Sequence, residues 1–306
     1  MILLSLFIIL GLLLLIKGAD WLVEGGSALA KRFRVSDLAI GLTVVSFGTS
    51  APELVVNAFS SFQGNADLVF GNVIGSNNFN LFIILGIAGL IYPLVVQSST
   101  VWKEIPISFL AVVFLYILAG NLIVIPGNNL ISRGDGLLML ILFALFLFYV
   151  FRQLKADPAT AASTDGELPL YKAWSFIIVG LAGLILGGQL VVDNAVQMAT
   201  ELGISQKIIG LTIVAAGTSL PELMTSVIAA LKKNNDIAVG NIIGSNIFNI
   251  FLILGVSSLI NPLAYNRIFN TDLYILAGGT LLLFAAMFTG RRKKLDRWEA
   301  AVLLIF

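Results

Sequence analysis

Residues 48–62 read GTSAPELVVNAFSSF, and residues 217–231 read GTSLPELMTSVIAAL. Each stretch places a proline beside a glutamate, Glu53 or Glu222, inside a segment that is otherwise apolar enough to lie in lipid. A proline interrupts a helix, and an ionisable residue in a membrane-spanning helix is costly, so it indicates a functional site. The two stretches therefore predict a site to which two equivalent segments of the chain contribute.

The composition is that of an all-α polytopic membrane protein. Of 306 residues, 58% are hydrophobic and 11% are charged, against about 25% charged residues in a soluble domain. Since a helix needs about 20 residues to cross a bilayer, the apolar runs predict ten transmembrane helices. Their predicted spans are 2–24, 37–62, 69–91, 104–125, 135–151, 173–194, 206–231, 238–260, 272–289 and 297–306.

The distribution of basic residues predicts the orientation, because Lys and Arg in short loops stay in the cytoplasm. With the N-terminus outside, only Arg133, Lys207 and Arg267 fall in outside loops. The inside loops hold Lys31, Arg32, Arg34, Lys103, Arg152, Lys155, Lys172, Lys232, Lys233, Arg291, Arg292, Lys293, Lys294 and Arg297. This asymmetry, with a net charge of +1, favours no nucleic-acid partner.

The chain repeats itself at an ungapped offset of 169 residues, with about half of the positions identical between 40–93 and 209–262. Duplication of a five-helix unit explains this, and an odd number of helices makes the second copy enter from the opposite face. The predicted organisation is a first repeat at 1–151, a cytoplasmic linker at 152–172 and a second, inverted repeat at 173–306. Inverted repeats are typical of secondary transporters with a site near the membrane midplane.

The prolines provide oxygen ligands as well as kinks. Pro52 has no N–H, so the Gly48 carbonyl loses its helical partner, and Pro221 does the same to Gly217. Irregular backbone at membrane depth is tolerated where it lines a cavity or is buried in protein. Freed carbonyls, Thr and Ser hydroxyls and two carboxylates are ligands that hard cations such as Ca²⁺ and Na⁺ prefer.

Two further segments, GNVIGSNNFN at 71–80 and GNIIGSNIFN at 240–249, carry a polar stripe at helical spacing. Their glycines, Gly71 with Gly75 and Gly240 with Gly244, have the spacing that lets helices approach closely. Taken alone, glycines at this spacing more often serve helix packing than function. A polar stripe alone is as often a set of interhelical hydrogen bonds as a functional site. The stripe consists of Asn72, Ser76 and Asn80, repeated as Asn241, Ser245 and Asn249.

The paired motifs GTS-x-PE and GN-x-IGSN-x-FN resemble the α-repeats of the cation/Ca²⁺ antiporters, specifically the prokaryotic sodium/calcium exchangers, and the resemblance covers essentially the whole chain. It implies ten helices around a central diamond of ion sites, and exchange of Na⁺ for Ca²⁺ by alternating access. It also implies that the first and sixth helices, containing Gly18 and Gly187, slide across the core. No enzymatic activity and no cofactor are implied.

The resemblance also implies a ligand set, carried over by motif position. Glu53 and Glu222 would bind Ca²⁺ directly, with the carbonyl groups of Thr49 and Thr218 as further ligands. The neighbouring Na⁺ sites would use polar side chains and nearby carbonyls at Ser50, Ser219, Ser76, Ser245, Asn80, Asn249, Ser46 and Ala215.

Two departures within the superfamily bear on the coupling ion. Proton-coupled relatives usually have Gly-Asn-x-x-Glu where this chain has Gly-Thr-Ser-x-Pro-Glu, and they often place His nearby, which this chain lacks. K⁺-dependent relatives, and some others, carry Asp at the position of Asn249. The resemblance thus favours Na⁺ coupling, with H⁺/Ca²⁺ or K⁺-dependent Na⁺/Ca²⁺ antiport as alternatives.

Two other classes of protein remain open at this stage. A passive cation channel would use the same oxygen ligands but need a continuous pore. A membrane-embedded hydrolase would use paired acids on water, but a chain without His has no nucleophile–His arrangement. The expected location is the plasma or inner membrane of a prokaryote, with the transported ions and the lipid bilayer as partners and no protein partner.

Overall fold

The computed structural model describes residues 2–120, 129–153, 168–203, 215–290 and 293–305, which are almost entirely helical. The first half contains α1 (Ile2–Phe33), α2 (Asp37–Thr49), α3 (Ala51–Phe62), α4 (Ala66–Ile91), α5 (Thr100–Leu118) and α6 (Arg133–Gln153). The second half contains α7 (Leu170–Glu201), α8 (Ala215–Gly217), α9 (Leu220–Leu231), α10 (Asn235–Ile260), α11 (Arg267–Ala286) and α12 (Arg297–Ile305).

Two short antiparallel ladders connect the halves at the ends of the helices. Strand β1 (Leu94–Val95) pairs with β4 (Lys294–Leu295), and β2 (Leu130–Ile131) pairs with β3 (Leu263–Ala264). Each ladder joins a segment of the first half to a segment of the second. The two halves are thus connected by backbone hydrogen bonds at the ends of the helix bundle as well as by helix packing.

In the described residues, seven helices are long and apolar enough to cross a membrane, and the bent pair of α2 and α3 makes an eighth. The prediction of an all-helical membrane fold is confirmed. Of the two other predicted spans, 206–231 begins in residues outside the described ranges and continues as α9. The span at 297–306 corresponds to α12, which has nine described residues.

Several helix ends differ from the sequence prediction. Helix α1 continues to Phe33 rather than residue 24, because Asp20 and Glu24 do not end the helix but pair with the Lys232 ammonium at 2.6 and 4.0 Å. Helix α7 continues to Glu201 rather than 194, and Asn194 inside it is satisfied by bonding the carbonyl of Leu190. Polar residues read as helix ends are thus accommodated within longer helices.

The proline break predicted near residues 48–50 is confirmed. Helices α2 and α3 meet at Ser50, where φ is −84° and ψ is 2°, and their axes differ by 48°. Pro52 lies in the first turn of α3, where its missing N–H costs nothing. Ser219 precedes α9 with φ −93° and ψ 8°, and Pro221 follows it in the same way.

Helix α10 forms the centre of the bundle: 94% of the residues in its 18-residue apolar stretch are buried, compared with 28% in the corresponding stretches of α1 and α7. It crosses α2 closely: a Cβ added at Gly240 would lie 3.1 Å from the Leu38 carbonyl oxygen, and one at Gly244 would lie 2.2 Å from Ser46 Oγ. Only glycine permits this approach. The predicted close approach of helices is wrong for Gly71 and Gly75: among the described residues, a Cβ at Gly71 would be in ordinary contact with the Phe269 ring at 3.6 Å, and one at Gly75 would meet nothing within 4 Å.

Helices α1 and α7 pack on each other in antiparallel directions. A Cβ at Gly11 would lie 2.8 Å from the Gly187 carbonyl oxygen, whereas a Cβ at Gly18 would lie 2.7 Å from that of Gly180. Later residues of α1 therefore contact earlier residues of α7, so the two helices run in opposite directions. Since these are the first helices of the two halves, this packing agrees with an inverted arrangement.

Candidate cation site

Two buried carboxylates lie at equivalent positions of α3 and α9. Glu53 is in the first turn of α3 and Glu222 in the first turn of α9, directly after the breaks at Ser50 and Ser219. Each glutamate is 1% exposed, and Glu222 accepts a hydrogen bond from Ser50, three residues before Glu53. Because buried charge is costly unless it is compensated, such a pair requires a cation or protons.

Among the buried side-chain oxygens that have no hydrogen-bond partner in the described residues, four fall into two pairs related by the 169-residue repeat. They are Oε2 of Glu53, Oε2 of Glu222, Oδ1 of Asn80 and Oδ1 of Asn249. The turn that carries Asn249 packs against α3, and the turn that carries Asn80 packs against α9. Each half thus contributes one carboxylate oxygen and one amide oxygen, and unpartnered buried oxygens of this kind indicate a missing partner.

Four of the five predicted serines form two pairs, each joining one half of the chain to the other. Ser50 Oγ donates to Glu222 Oε1 at 2.9 Å and lies 3.1 Å from Ser245 Oγ. Ser219 Oγ lies 3.3 Å from Ser76 Oγ. All four are buried, and the pair of Ser50 and Ser245 lies against the Glu222 carboxylate.

The predicted threonines are held by the first asparagine of each polar stripe. Thr49 Oγ1 donates to Asn241 Oδ1 at 3.1 Å, and Asn241 Nδ2 donates to Ser226 Oγ at 3.0 Å and to the Glu222 carbonyl oxygen at 3.3 Å. These bonds fix the backbone of the α9 start against α2. The Asn241 side chain therefore positions both Thr49, at the break of the first half, and Glu222 of the second half.

A matching network supports the other half. Asn72 Nδ2 donates to Thr218 Oγ1 at 3.4 Å, and Asn57 Nδ2 donates to Asn72 Oδ1 at 2.6 Å and to the Glu53 carbonyl oxygen at 2.7 Å. The two networks differ in one residue type, since Asn57 stands where the second half has Ser226. The donors differ as well: Asn57 rather than Asn72 donates to the glutamate carbonyl, and Asn72 donates to its threonine whereas Asn241 accepts from Thr49. The sequence analysis did not assign Asn57 or Ser226 to the site, because neither belongs to the repeated polar stripe.

Two of the predicted ligands are backbone carbonyls, those of Ser46 in the last turn of α2 and of Ala215 at the start of α8. The Ser46 carbonyl accepts from the Ser50 N–H at 3.0 Å and from Thr49 Oγ1 at 3.4 Å. Ser46 Oγ also bonds the Gly41 and Asn241 carbonyl oxygens, at 2.7 and 3.1 Å. Ala215 is the first residue of α8. Ser46 thus belongs to the wall of the site.

Sequence reasoning missed Asn77 and Asn246, which contact Asn249 and Asn80. Both are repeated in the sequence at the same offset as the glutamates, which is the signal that could have identified them. They were passed over because they lie off the i, i+4 stripe. A widened helical turn begins at Phe79 in α4 and at Asn249 in α10, and such π turns change the face on which the following residues lie.

The arrangement is suited to binding hard cations through oxygen atoms. In the part of the chain that the structure describes, there is no group of three or more His, Cys, Asp or Glu side chains that could hold a metal. Two carboxylates surrounded by hydroxyl and amide oxygens match instead the preferences of Na⁺ and Ca²⁺. A site with only two charges and many neutral ligands can bind such ions without holding them permanently.

Similarity to known proteins agrees with this geometry. The family model described as sodium/calcium exchanger protein matches residues 3–152 and 172–306. CaxA of Alkalimonas amylolytica is 37% identical over 310 residues, covering 98% of this chain and 95% of that protein. Inner membrane protein YrbG of Escherichia coli is 38% identical over 293 residues, covering 90% and 87%.

The fold is also that of a solved exchanger. The structure of the sodium-calcium exchanger NCX_Mj soaked with 2.5 mM Na⁺ and 0.1 mM Ca²⁺ superimposes with a TM-score of 0.86 at 34% identity, covering 100% of this chain and 96% of that one. The similarity extends over nearly the full length of both chains. The chain therefore belongs to the sodium/calcium exchanger family, which consists of membrane antiporters rather than enzymes.

Proposed function

We propose that this chain is a secondary active antiporter that exchanges Na⁺ for Ca²⁺ at a site built on Glu53 and Glu222. The observation that carries the proposal is a symmetric set of four buried oxygens without a partner among the described residues, one carboxylate and one amide oxygen from each half. Two carboxylates supply a charge of −2, which one divalent cation neutralises. The names of the family and of NCX_Mj support Na⁺ and Ca²⁺ as the ions.

Exchange follows from competition for shared ligands. Ca²⁺ bound by the two glutamates and Na⁺ ions bound by the same carboxylates and the flanking serines repel each other, so one kind of ion displaces the other. A loaded site has its charge compensated and can be carried past an apolar barrier. An empty site with a charge of −2 faces a large desolvation cost, which suppresses uncoupled return.

Alternating access requires one part of the protein to move against another. Helices α1 and α7 contact each other through glycine-lined backbone surfaces, and both contact the α9 side of the core. We take this pair as the moving element and α3, α4, α9 and α10 as the fixed core. The site near the breaks in α2–α3 and before α9 then faces one side of the membrane at a time.

The two halves serve as inverted repeats in this proposal, with the boundaries 1–151 and 173–306 and a cytoplasmic linker at 152–172. The antiparallel packing of α1 on α7 supports the inversion. The N-terminus lies outside, and the location is the plasma or inner membrane of a prokaryote, as the name of YrbG supports.

Labelling with a thiol reagent that cannot cross the membrane tests this topology. The chain has no native Cys, so single cysteines report alone. Cysteine at Asn65, an exposed residue before α4, is expected to react only from outside, and cysteine at Lys233, before α10, only from the cytoplasm. Lys233 is chosen because the adjacent Asn234 bonds Ser27 and Asp37. Labelling of both from one side would refute the inversion.

Uptake of radioactive Ca²⁺ into proteoliposomes tests the function. An outward Na⁺ gradient is expected to drive accumulation, whereas an outward K⁺ gradient or a pH gradient in Na⁺-free medium is expected to drive little. If the pH gradient were as effective as the Na⁺ gradient, the proton-coupled alternative would replace this proposal. Passive flux without any counter-ion gradient would indicate a channel.

A further inference from the structure

Four asparagines lie side by side where α4 and α10 cross. They are Asn77 and Asn80 of α4, and Asn246 and Asn249 of α10. All are buried, between 0% and 4% exposed. Every hydrogen bond described below joins one half of the chain to the other, so the four amides form a single cross-linked cluster.

The orientation of the Asn246 amide is fixed by a backbone carbonyl. Asn246 Nδ2 donates to the Asn77 carbonyl oxygen at 3.3 Å. A carbonyl oxygen only accepts, so the –NH₂ group of Asn246 must face it. Its Oδ1 therefore faces the other way, where it accepts from Asn80 Nδ2 at 3.1 Å. Asn80 is left with its own Oδ1 turned away from the cluster and unpartnered among the described residues.

The same reasoning holds with the two halves exchanged. Asn77 Nδ2 donates to the Asn246 carbonyl oxygen at 3.2 Å, and Asn77 Oδ1 accepts from Asn249 Nδ2 at 2.9 Å. Asn249 consequently has its Oδ1 unpartnered among the described residues. Reversing any one of these amides would set oxygen against oxygen or N–H against N–H.

We propose that Asn77 and Asn246 are positioning residues: each holds the amide of the opposite half so that the oxygens of Asn249 and Asn80 face the transported ion. The proposal rests on the Na⁺/Ca²⁺ function proposed above. A cation binds the oxygen of an amide and is repelled by its –NH₂ group, so the orientation decides whether each asparagine is a ligand.

The cluster also determines which residue type fits at 249 and 80. An ionised aspartate at 249 has no N–H to donate, and its oxygen would face Asn77 Oδ1 at the 2.9 Å separation now bridged by a hydrogen bond. Asn77 cannot turn without losing its bond to the Asn246 carbonyl. Asn77 and Asn246 therefore select amide side chains at positions 249 and 80. The charge of the site is then set by the two glutamates alone.

The test measures Na⁺-driven Ca²⁺ uptake in proteoliposomes for N77A and N246A, with thermal stability measured in parallel. Each variant frees one ligand amide, so the Na⁺ concentration for half-maximal exchange is expected to rise about tenfold, the equivalent of one lost hydrogen bond or ligand. The maximal rate is expected to change less. N78A is the matched control, because the adjacent Asn78 bonds the Asp272 carbonyl instead and should leave the Na⁺ dependence unchanged.

A double variant distinguishes positioning from packing. With Asn77 intact, N249D is expected to impair exchange at neutral pH; in N77A/N249D much of that impairment is expected to disappear, because the oxygen facing position 249 is gone. If the alanine variants do not fold, N77S and N246S replace them, since serine keeps a polar group but is too short to reach the partner amide.

The outcomes separate the inference from the function on which it rests. Loss of stability with an unchanged Na⁺ dependence, or equal effects of N77A and N78A, would overturn the positioning role while leaving the antiporter in place. Independent effects of N77A and N249D would overturn the selection of amides. A parent protein without Na⁺-driven Ca²⁺ uptake would overturn both the function and the inference.

Discussion

Replacing either Glu53 or Glu222 with glutamine is expected to abolish Ca²⁺ exchange and leave a folded protein. Each carboxylate supplies half of the charge that compensates Ca²⁺. A single charge pair at 4 Å in a medium of effective dielectric constant 20 is worth about 4 kcal/mol, so Ca²⁺ binding should weaken on the order of a thousandfold. Glutamine keeps the shape of the side chain and removes a buried charge, so it leaves no unpaired ion in the core.

Glu104→Gln is the control for this pair of variants. Glu104 is as buried as the two glutamates, lies in the spanning helix α5, and has an unpartnered Oε2 among the described residues, but it bonds Tyr149 outside the site. We expect this variant to retain exchange. Uptake assays and size-exclusion profiles of all three variants decide the matter; near-normal exchange by E53Q or E222Q would remove the central role of the carboxylates.

Asn249→Asp is expected to change which ions the protein responds to. The new carboxylate would be a third charge near Glu53 and Glu222, and it would face Asn77 Oδ1 across the 2.9 Å now spanned by the Asn249 amide. It must therefore hold a proton or an additional monovalent cation. A protonated aspartate is neutral and can donate its O–H to Asn77 Oδ1 as the amide does, so exchange by N249D should recover on acidification relative to the parent by up to about tenfold per pH unit, whereas a bound cation would make exchange depend on K⁺.

Comparison of parent and N249D between pH 6 and 8, with and without K⁺, measures this effect. Asn80→Asp should behave alike, since Asn80 Nδ2 donates to Asn246 Oδ1 in the equivalent contact. Asn65→Asp, at an exposed loop position, controls for the added charge. A variant N249D with the pH and K⁺ dependence of the parent would show that position 249 does not face the ions.

The chemistry of the site was predictable from the sequence because it is encoded in residue types that are unusual in lipid. A proline beside a glutamate, repeated at one offset, predicted the break at Ser50 and the burial of Glu53 and Glu222, and both are seen. Serines and asparagines spaced at i, i+4 predicted which side chains share a helix face. Ser50 and Ser245 do meet around Glu222.

Contacts that depend on the crossing of helices were not predictable in this way. The pairing of Asn77 with Asn249 joins residues 172 positions apart, and the π turns at the crossing move side chains off the regular helical stripe. Helix ends were also misjudged where a polar residue is satisfied inside a helix. Helix α1 continues past Asp20, because Lys232 from the α9–α10 turn neutralises the Asp20 carboxylate.

Locating the divalent cation directly is the most decisive measurement. Crystals of the protein soaked in Sr²⁺, with diffraction data collected at the strontium absorption edge, are expected to show an anomalous peak between Glu53 and Glu222. Its distance to carboxylate oxygens of both residues should be close to the roughly 2.3–2.6 Å of Ca²⁺ coordination. A strong peak elsewhere, with none between the two glutamates, would contradict the account.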